Sequence, residues 1–432
     1  MKTISSYTQK NYQLGVVNGL LNILAEALFD PTLVLVAFLS HLTQSPLLLG
    51  LIVPLRDGTW SLPQFWVSGI LQSRKQKISF YKQMAIFRGL SWLGLALSIN
   101  LITDTGWLLL AFFVFYGSAS LASGLSGLPF LEVIGKTIHP RRRGEFFAWR
   151  LGLGGLISIL ASLLVRWLLD PHAPIQFPHN FGILSILYFV IGCMSVLTFC
   201  QVKEQSEVEV SPVPSLKDQF SSAVKFMKSD PTYRRFIAMQ STLLMGGGAT
   251  PFFAVFVQQQ LGGPPAMVGV YLAVIMVTNL VANLIFGRVS NRLGNNVVMR
   301  FGTIAGMVMA TWVFAMAMFA GPLDLSGQAA SNLLVPVFVL TGIRGTAIGV
   351  AGNSLLLDIS PQKGRSIYMG FTNSLLGIVL FGTALSGVLL ALLGYKILFF
   401  LIILLNVYAF ISASRIRRPA AVVYPGSVEY LP

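Results

Sequence analysis

The sequence predicts an all-α integral membrane protein with twelve transmembrane helices, and three observations carry that prediction. Hydrophobic residues make up 54% of the 432 positions, charged residues make up 10%, and the mean hydropathy is +0.73. Soluble proteins carry about 25% charged residues. Long apolar runs recur along the chain, and basic residues collect between them with a regular asymmetry. The composition excludes a soluble enzyme, a disordered chain and a fibrous protein.

Twelve stretches are long enough to cross a bilayer, which takes about 20 apolar residues in a helix. Continuous runs of this length are typical of helices, because barrel strands alternate over about 10 residues. The polar start of the chain precedes a run that is too long for a signal peptide, so we expect no cleaved leader. The spans are predicted near 14–38, 47–70, 84–103, 106–130, 146–168, 180–200, 235–257, 266–287, 298–320, 332–356, 367–392 and 396–413.

The net charge of +15 is interpreted as a topology signal. Most of the 30 lysines and arginines fall in the loops on one side of the predicted spans, and the opposite loops hold only Arg166 and Lys396. Basic loops stay on the cytoplasmic side of a membrane. We therefore expect both termini in the cytoplasm, a location in the cytoplasmic (inner) cell membrane, and no binding of nucleic acid.

The chain divides at one long polar segment. We predict an N-terminal six-helix bundle over 1–202, a cytoplasmic linker over 203–233, and a C-terminal six-helix bundle with a short tail over 234–432. Ser215 followed by Asp218 resembles a helix cap. A short amphipathic helix on the membrane surface is expected there, and a disordered linker is the alternative. Its apolar face would carry Leu216, Phe220, Val224 and Met227.

The two six-span halves repeat one another. Pro31 precedes Pro251 by 220 residues, Gly50 precedes Gly269 by 219, and Arg74 precedes Arg292 by 218. Landmarks at nearly one period indicate an internal duplication. Because each half has an even number of spans, the repeats are expected to be parallel and related by an axis along the membrane normal.

Related motifs follow spans 2 and 8. The second copy is Gly287-Arg-Val-Ser-Asn291-Arg292-Leu-Gly294, and the first is Gly69-Ile-Leu-Gln-Ser73-Arg74. With these motifs in these loops, the chain resembles the major facilitator superfamily of secondary transporters, whose motif is G-x-x-x-D-R-x-G-R-K/R. Ser73 and Asn291 stand where the family has the aspartate that latches the inner gate, so hydrogen bonds would have to replace an acid-based latch.

The resemblance implies a transporter of a small molecule in which two halves rock around a central site. It further implies an embedding lipid bilayer, no enzymatic activity, no cofactor and a monomer. Arg143 and Arg365 occupy equivalent turns of the two halves and are interpreted as inner-gate residues, with plain inside-positive charge as the alternative. The full set of predicted gating residues is Gly69, Arg74, Arg143, Arg150, Gly287, Asn291, Arg292, Gly294 and Arg365.

Ionisable residues at membrane depth are the strongest functional signal, because each costs several kcal/mol to insert. Span 1 carries Asn18, Asn22, Glu26 and Asp30 at intervals of four, which places them on one helix face. Arg56 and Asp57 lie at a similar depth in span 2. We predict that Asn22, Glu26, Asp30, Arg56 and Asp57 bind substrate or protons; a fixed ion pair between spans 1 and 2 is the alternative.

Three further arginines fall inside predicted spans. The resemblance implies that span 10 lines the central cavity, so Arg344 is expected to face substrate opposite the acids of span 1. It would bind an anionic group or pair with Glu26 or Asp30; an ion pair within the bundle is the alternative. Arg88 and Arg150 lie near the inner ends of spans 3 and 5. Snorkelling to the interface is expected for Arg88, whereas for Arg150 a role in the inner gate is the alternative.

Other patterns exclude or refine functions. Gly246-Gly247-Gly248 with Pro251 predicts a broken helix in span 7, with close packing as the alternative. Gly135-Lys136-Thr137 is not a phosphate loop, because Phe130 stands where its first glycine is required. The four histidines are dispersed in or near loops, so no metal site is expected.

The carboxylates of span 1 favour a proton-coupled transport cycle. An uncoupled facilitator is one alternative. A membrane sensor or assembly component that keeps the fold without transporting is another.

Overall fold

The computed structural model describes residues 2–72, 74–138, 140–206, 221, 225, 227–359 and 365–416. The regular structure within this described part is entirely α-helical, which confirms the predicted class. Its sixteen helices are α1 (Lys2–Leu28), α2 (Val34–Leu42), α3 (Pro46–Gly50), α4 (Ile52–Ser61), α5 (Gln64–Gln72), α6 (Lys77–Leu101), α7 (Thr105–Thr137), α8 (Pro140–Leu168), α9 (His179–Cys200), α10 (Pro231–Gly247), α11 (Thr250–Leu261), α12 (Met267–Leu293), α13 (Asn295–Phe319), α14 (Gly327–Ile359), α15 (Arg365–Gly382) and α16 (Leu385–Ser414).

Eight helical segments of the described chain are long and apolar enough to cross a membrane. They are Lys77–Leu101, Thr105–Thr137, Glu145–Leu168, His179–Cys200, Met267–Ser290, Asn295–Phe319, Gly327–Leu356 and Phe371–Ser414. Their outer faces carry exposed leucines such as Leu101, Leu160 and Leu197. Helices satisfy their own backbone hydrogen bonds, so such faces are stable in lipid. The chain is a multi-pass membrane protein.

Shorter helices follow one another where the sequence interrupts a longer apolar run. α1 and α2 are separated around Pro31, α4 and α5 around Pro63, and α10 and α11 at Gly248 and Ala249. Proline lacks the N–H that continues a helix, and glycine weakens it. The predicted break in span 7 is confirmed. α16 is interrupted at Gly394, whose φ of +74° is left-handed.

The two ends of the helix bundle differ. The ends of α2 and α11 meet at one end, where Gln259 Nε2 donates to Gln44 Oε1 at 3.3 Å. We call this the loop end. The start of α1 and the residues after α9 lie at the opposite end, which we call the termini end; there Asn11 Nδ2 donates to the carbonyl of Lys203 at 2.9 Å.

The two halves share a hydrophobic core at the loop end. Phe38 and Ile52 of the N-terminal half are buried in one cluster with Phe252 and Val268 of the C-terminal half. At the termini end, the clusters formed by described residues belong to one half or the other. The halves are therefore closed against each other at the loop end.

Backbone contacts seal that closed end. A Cβ on Gly387, at the start of α16, would lie 2.1 Å from the carbonyl oxygen of Pro46. A Cβ on Gly269, in α12, would lie 2.4 Å from the backbone nitrogen of Arg166. Only glycine permits such close approach of two backbones.

Glu204 anchors the termini end of the N-terminal half. Its fully buried carboxylate pairs with Lys136 Nζ at 2.9 Å and accepts the N–H of Ile78 at 2.7 Å. The carboxylate thus caps the first turn of α6 from a distant part of the sequence, where a negative charge is favourable. Sequence reasoning assigned Glu204 to the linker, whereas its side chain belongs to the packed bundle. Residues 207–220, with most of the expected linker helix, lie outside the described residues.

Candidate functional site

A cavity of about 730 Å³ lies in the N-terminal half. Its walls come from α1, α4, α6, α7, α8 and α9, and Met276 is the only described lining residue from the C-terminal half. The cavity extends from Asp30 towards Phe130 and Arg150. Because the shared core closes the loop end, the cavity faces the termini end.

Five of the six residues predicted to bind substrate or protons meet in this cavity: Asn22, Glu26, Asp30, Arg56 and Asp57. Arg56 Nη2 pairs with Glu26 Oε2, and Arg56 Nη1 lies 3.7 Å from Asp57 Oδ1. The side chains of Glu26, Arg56 and Asp57 are 32%, 40% and 43% exposed. One guanidinium therefore bridges two carboxylates that a solute or proton in the cavity can reach.

Asp30 has a different environment. It lies between α1 and α2, and its Oδ1 accepts the backbone N–H groups of Thr32 at 2.9 Å and Leu33 at 2.8 Å. These bonds cap the turn that leads into α2. Asp30 therefore stabilises the break in the first span and also lines the cavity.

Arg150 holds α8 against α1. Its Nη1 donates to the carbonyl of Gly15 and to Asn18 Oδ1, the latter at 3.0 Å. The guanidinium lies over the rings of Phe130 and Phe146, 4.9 and 5.3 Å from their centroids. It lines the cavity rather than snorkelling to the interface. Whether it gates access stays a prediction.

Arg344 lies elsewhere than expected. It is buried within the C-terminal half and is not among the described residues that line the cavity. Its Nη2 donates to the carbonyl of Leu243, which lies one turn before the end of α10. A Cβ on Gly247 would lie 3.0 Å from its guanidinium, so that glycine leaves the space it occupies. The helix break in span 7 thus accommodates Arg344 inside the bundle.

The predicted gating residues lie at the termini end but are only partly described. Arg74 follows α5, and its guanidinium lies 5.1 Å from the Phe80 ring centroid. Gly294 links α12 to α13 with a φ of +93°. Gly69 lies in α5; Gly287, Asn291 and Arg292 lie in α12; Arg143 lies in α8; and Arg365 begins α15. The side chains of Arg143, Asn291 and Arg365, together with residue 73, lie outside the described residues.

Sequence reasoning placed Tyr116 of span 4 among the polar side chains that line a cavity or bond between helices, but it missed the other residues of an aromatic wall. The rings of Trp92 and Tyr188 lie 3.8 Å apart between centroids, and Tyr116 lies 6.0 Å from Trp92. Trp60 also lines the cavity. Aromatic residues in apolar spans give the same pattern whether they pack in a core or face a cavity, so spacing did not distinguish them.

Comparisons with known proteins agree with this architecture. The sequence profile of the Major Facilitator Superfamily matches residues 16–305 and 236–428. The fold is similar to that of a D-xylose-proton symporter (TM-score 0.69, 14% identity, covering 94% of this chain and 97% of that one).

Two further solved structures are similar. One is a single-substitution mutant of the nucleoside transporter NupG (TM-score 0.68, 12% identity, 94% and 98% covered). The other is the inward open xylose transporter XylE from E. coli (TM-score 0.65, 12% identity, 97% and 98% covered). Identities this low show the fold alone. A sequence search among curated proteins gives no match. Because the profile covers nearly the whole chain, the chain belongs to the Major Facilitator Superfamily.

Proposed function

We propose that this protein is a secondary active transporter that moves a small solute by alternating access and couples its movement to protons. Members of the superfamily are transporters rather than enzymes, which confirms the prediction that the chain is not an enzyme. Coupling and substrate are our proposal.

The observation that carries the proposal is the group formed by Glu26, Arg56 and Asp57. Charged side chains at membrane depth mark substrate and proton pathways when they face a cavity. This group is partly exposed to a cavity of about 730 Å³, within the range of small-molecule sites. A solute that enters therefore meets carboxylates and a guanidinium whose mutual contacts it can change.

Competition for Arg56 supplies the coupling step. When Glu26 is ionised, it pairs with Arg56 and joins α1 to α4. Protonating Glu26 removes that charge, and Arg56 then interacts with Asp57, already 3.7 Å away. The proton thus loosens the connection between spans 1 and 2. Asp30, which follows the end of α1, is the second candidate carboxylate.

The proposed topology is twelve spans with both termini in the cytoplasm. Consecutive helices form single spans: α1 with α2, α3 to α5, and α10 with α11. The Gly394 interruption separates spans 11 and 12. In this topology the closed loop end is extracellular and the cavity faces the cytoplasm of the cell membrane. Separation of the contacts at Gly387 and Gly269 produces the opposite state, and one chain suffices as a monomer.

The test begins with the substrate. Purified protein is screened for thermal stabilisation across a panel of metabolites and drugs, and the stabilising solute is used in proteoliposomes. We expect a pH gradient to drive its accumulation by the natural protein. Glu26→Gln and Asp30→Asn should lose gradient-driven accumulation while they retain exchange of solute between the two sides. Undiminished accumulation by both variants would reject coupling through these carboxylates.

An uncoupled facilitator is the second candidate, because both carboxylates already have structural contacts. Glu26 pairs with Arg56, and Asp30 caps the turn before α2. In that case the natural protein equilibrates the solute without accumulation under any pH gradient. The same proteoliposome experiment separates the two functions.

A further inference from the structure

A second cavity, of about 490 Å³, lies on the outer face of the N-terminal half. It is a groove between α6 and α9 with α1 at its base, and we call it the α6–α9 groove. Its apolar rim includes Ile86, Leu90 and Leu197, which are 65%, 61% and 63% exposed. Since apolar faces of membrane helices lie against lipid, the groove opens towards the acyl chains.

The charges of the groove have one sign. Lys82 and Arg88 line it, and none of its described lining residues is acidic. Arg88 lies eleven residues after Lys77, about 16 Å along α6 from its first residue. Arg88 therefore lies near the middle of α6. The expectation that it snorkels to the interface assumed a position near the end of the helix.

Arg88 differs from the other two arginines of the central cavity. Arg56 pairs with Glu26, and Arg150 donates to Asn18. The half-buried guanidinium of Arg88 makes no hydrogen bond or ion pair with any described residue. An unpaired guanidinium between an apolar groove and the central cavity favours an anion placed beside it.

The groove and the central cavity share a wall. Asn22, Arg88, Trp92 and Tyr188 line both cavities. The Trp92 and Tyr188 rings, whose centroids are 3.8 Å apart, form part of this shared wall. A ligand whose anionic group contacts Arg88 therefore touches the central cavity while its apolar part remains in the groove.

We propose that the α6–α9 groove binds a single-chain anionic amphiphile, a long-chain carboxylate that enters sideways from the bilayer. Its carboxylate pairs with Arg88, which can form two parallel hydrogen bonds to it. Its chain lies along the apolar surfaces of α6 and α9. Three observations select this occupant: the exclusively basic charge, the rim exposed to lipid, and a volume suited to one small molecule.

The proposal concerns binding and is independent of transport by the central cavity. A failure to bind would leave the proposed proton coupling intact, and the reverse also holds. The test therefore measures binding directly.

The probe is palmitate with a diazirine in the middle of its chain, added to the protein in phosphatidylcholine nanodiscs. After illumination, labelled peptides are mapped by mass spectrometry. We expect saturable labelling of the groove faces of α6 and α9, prevented by oleate but not by methyl oleate. Arg88→Gln should lower labelling at least fivefold, and Arg88→Lys should retain part of it. Lys396→Gln removes an exposed charge outside the groove and should leave labelling unchanged.

Three outcomes would overturn the proposal. Labelling by the methyl ester of the probe as strong as labelling by the acid would show that charge is irrelevant. Full labelling of Arg88→Gln, with gel filtration and thermal unfolding confirming a folded protein, would show that Arg88 does not bind the carboxylate. Equal competition by water-soluble acetate would place the anion's source in the aqueous cavity instead of the bilayer.

Discussion

The first helix of each half is broken, but the two halves place their charges differently. In the N-terminal half, Glu26 and Asp57 line the cavity. At offsets of 220 and 219 residues, their counterparts in the C-terminal half are Gly246 and Met276. At these matched positions, ionisable side chains therefore occur in the N-terminal half and not in the C-terminal half.

The break in the first helix of each half illustrates this difference in charge. The N-terminal break is capped by Asp30, whose carboxylate lines the cavity. The C-terminal break, at Gly248, carries no acid; a carbonyl near it accepts a hydrogen bond from buried Arg344. One break thus contributes to a site, whereas the other contributes to packing within a bundle.

Arg56→Met should have the largest effect, because it leaves two carboxylates in the cavity without their cation. We expect uptake to fall at least 100-fold and the free energy of unfolding to fall by about 1–3 kcal/mol, less than for a fully buried pair. Proteoliposome uptake and thermal unfolding measure both.

Glu26→Gln combined with Arg56→Gln is the matched control, because it removes both charges of the pair. It should recover part of the stability, because only Asp57 then lacks its cation, but it should not recover coupled uptake. Normal uptake by Arg56→Met would contradict a functional N-terminal site.

Gly387→Val tests the close backbone contact between Gly387 of the C-terminal half and Pro46 of the N-terminal half. Its side chain would collide with the carbonyl of Pro46 and hold the loop end apart. We expect uptake to fall at least tenfold. In a variant without Cys193 and Cys200, a reporter cysteine at buried Ile52 should become more reactive towards a maleimide.

The control for this substitution is Gly349→Val in α14, where an added Cβ meets nothing within 4 Å. It should leave both uptake and the reactivity of the reporter unchanged. The reporter cysteine could react equally fast in the Gly387→Val variant and in the same protein with Gly387 retained. That result would show that this contact does not close the loop end.

Arg344→Met tests the C-terminal half. Arg344 is buried, lacks a described carboxylate partner and leaves its Nε without a hydrogen bond, so we expect it to contribute packing rather than substrate contact. Replacing a poorly compensated buried charge by an apolar side chain is often neutral or stabilising. We expect thermal stability to be unchanged or higher and uptake to change less than fivefold. A loss as large as that of Arg56→Met would place Arg344 in the transport cycle.

The eight long apolar helices and the polar face of α1 could be predicted from the sequence because each depends on local spacing. Residues four apart share a helix face, and a polar face at membrane depth must turn inward. This reasoning placed Asn22, Glu26 and Asp30 on the wall of one cavity, with Arg56 beside them.

The environments of Arg344 and Arg88 depend on contacts between helices, which local spacing does not contain. The space for Arg344 is created by Gly247, about 100 residues earlier in the chain. The groove at Arg88 forms only when α6 meets α9. Glu204 was assigned to a polar linker for the same reason, since its partners are 68 and 126 residues away.

Glu204→Gln and Arg300→Gln compare how the halves secure their termini ends, and their effects should be the smallest. Glu204 is fully buried and contacts both Lys136 and the start of α6, so its loss should lower the free energy of unfolding by about 1–3 kcal/mol. Arg300 donates to the carbonyl of Ser414 at the exposed end of α16, at 3.1 Å, which contributes about 0.3–1 kcal/mol. Thermal unfolding should therefore rank Glu204→Gln well below Arg300→Gln, with uptake nearly unchanged in both. Equal midpoints would mean that the buried carboxylate stabilises its half no more than a surface contact does, and that the two termini ends are equivalent in stability despite their different chemistry.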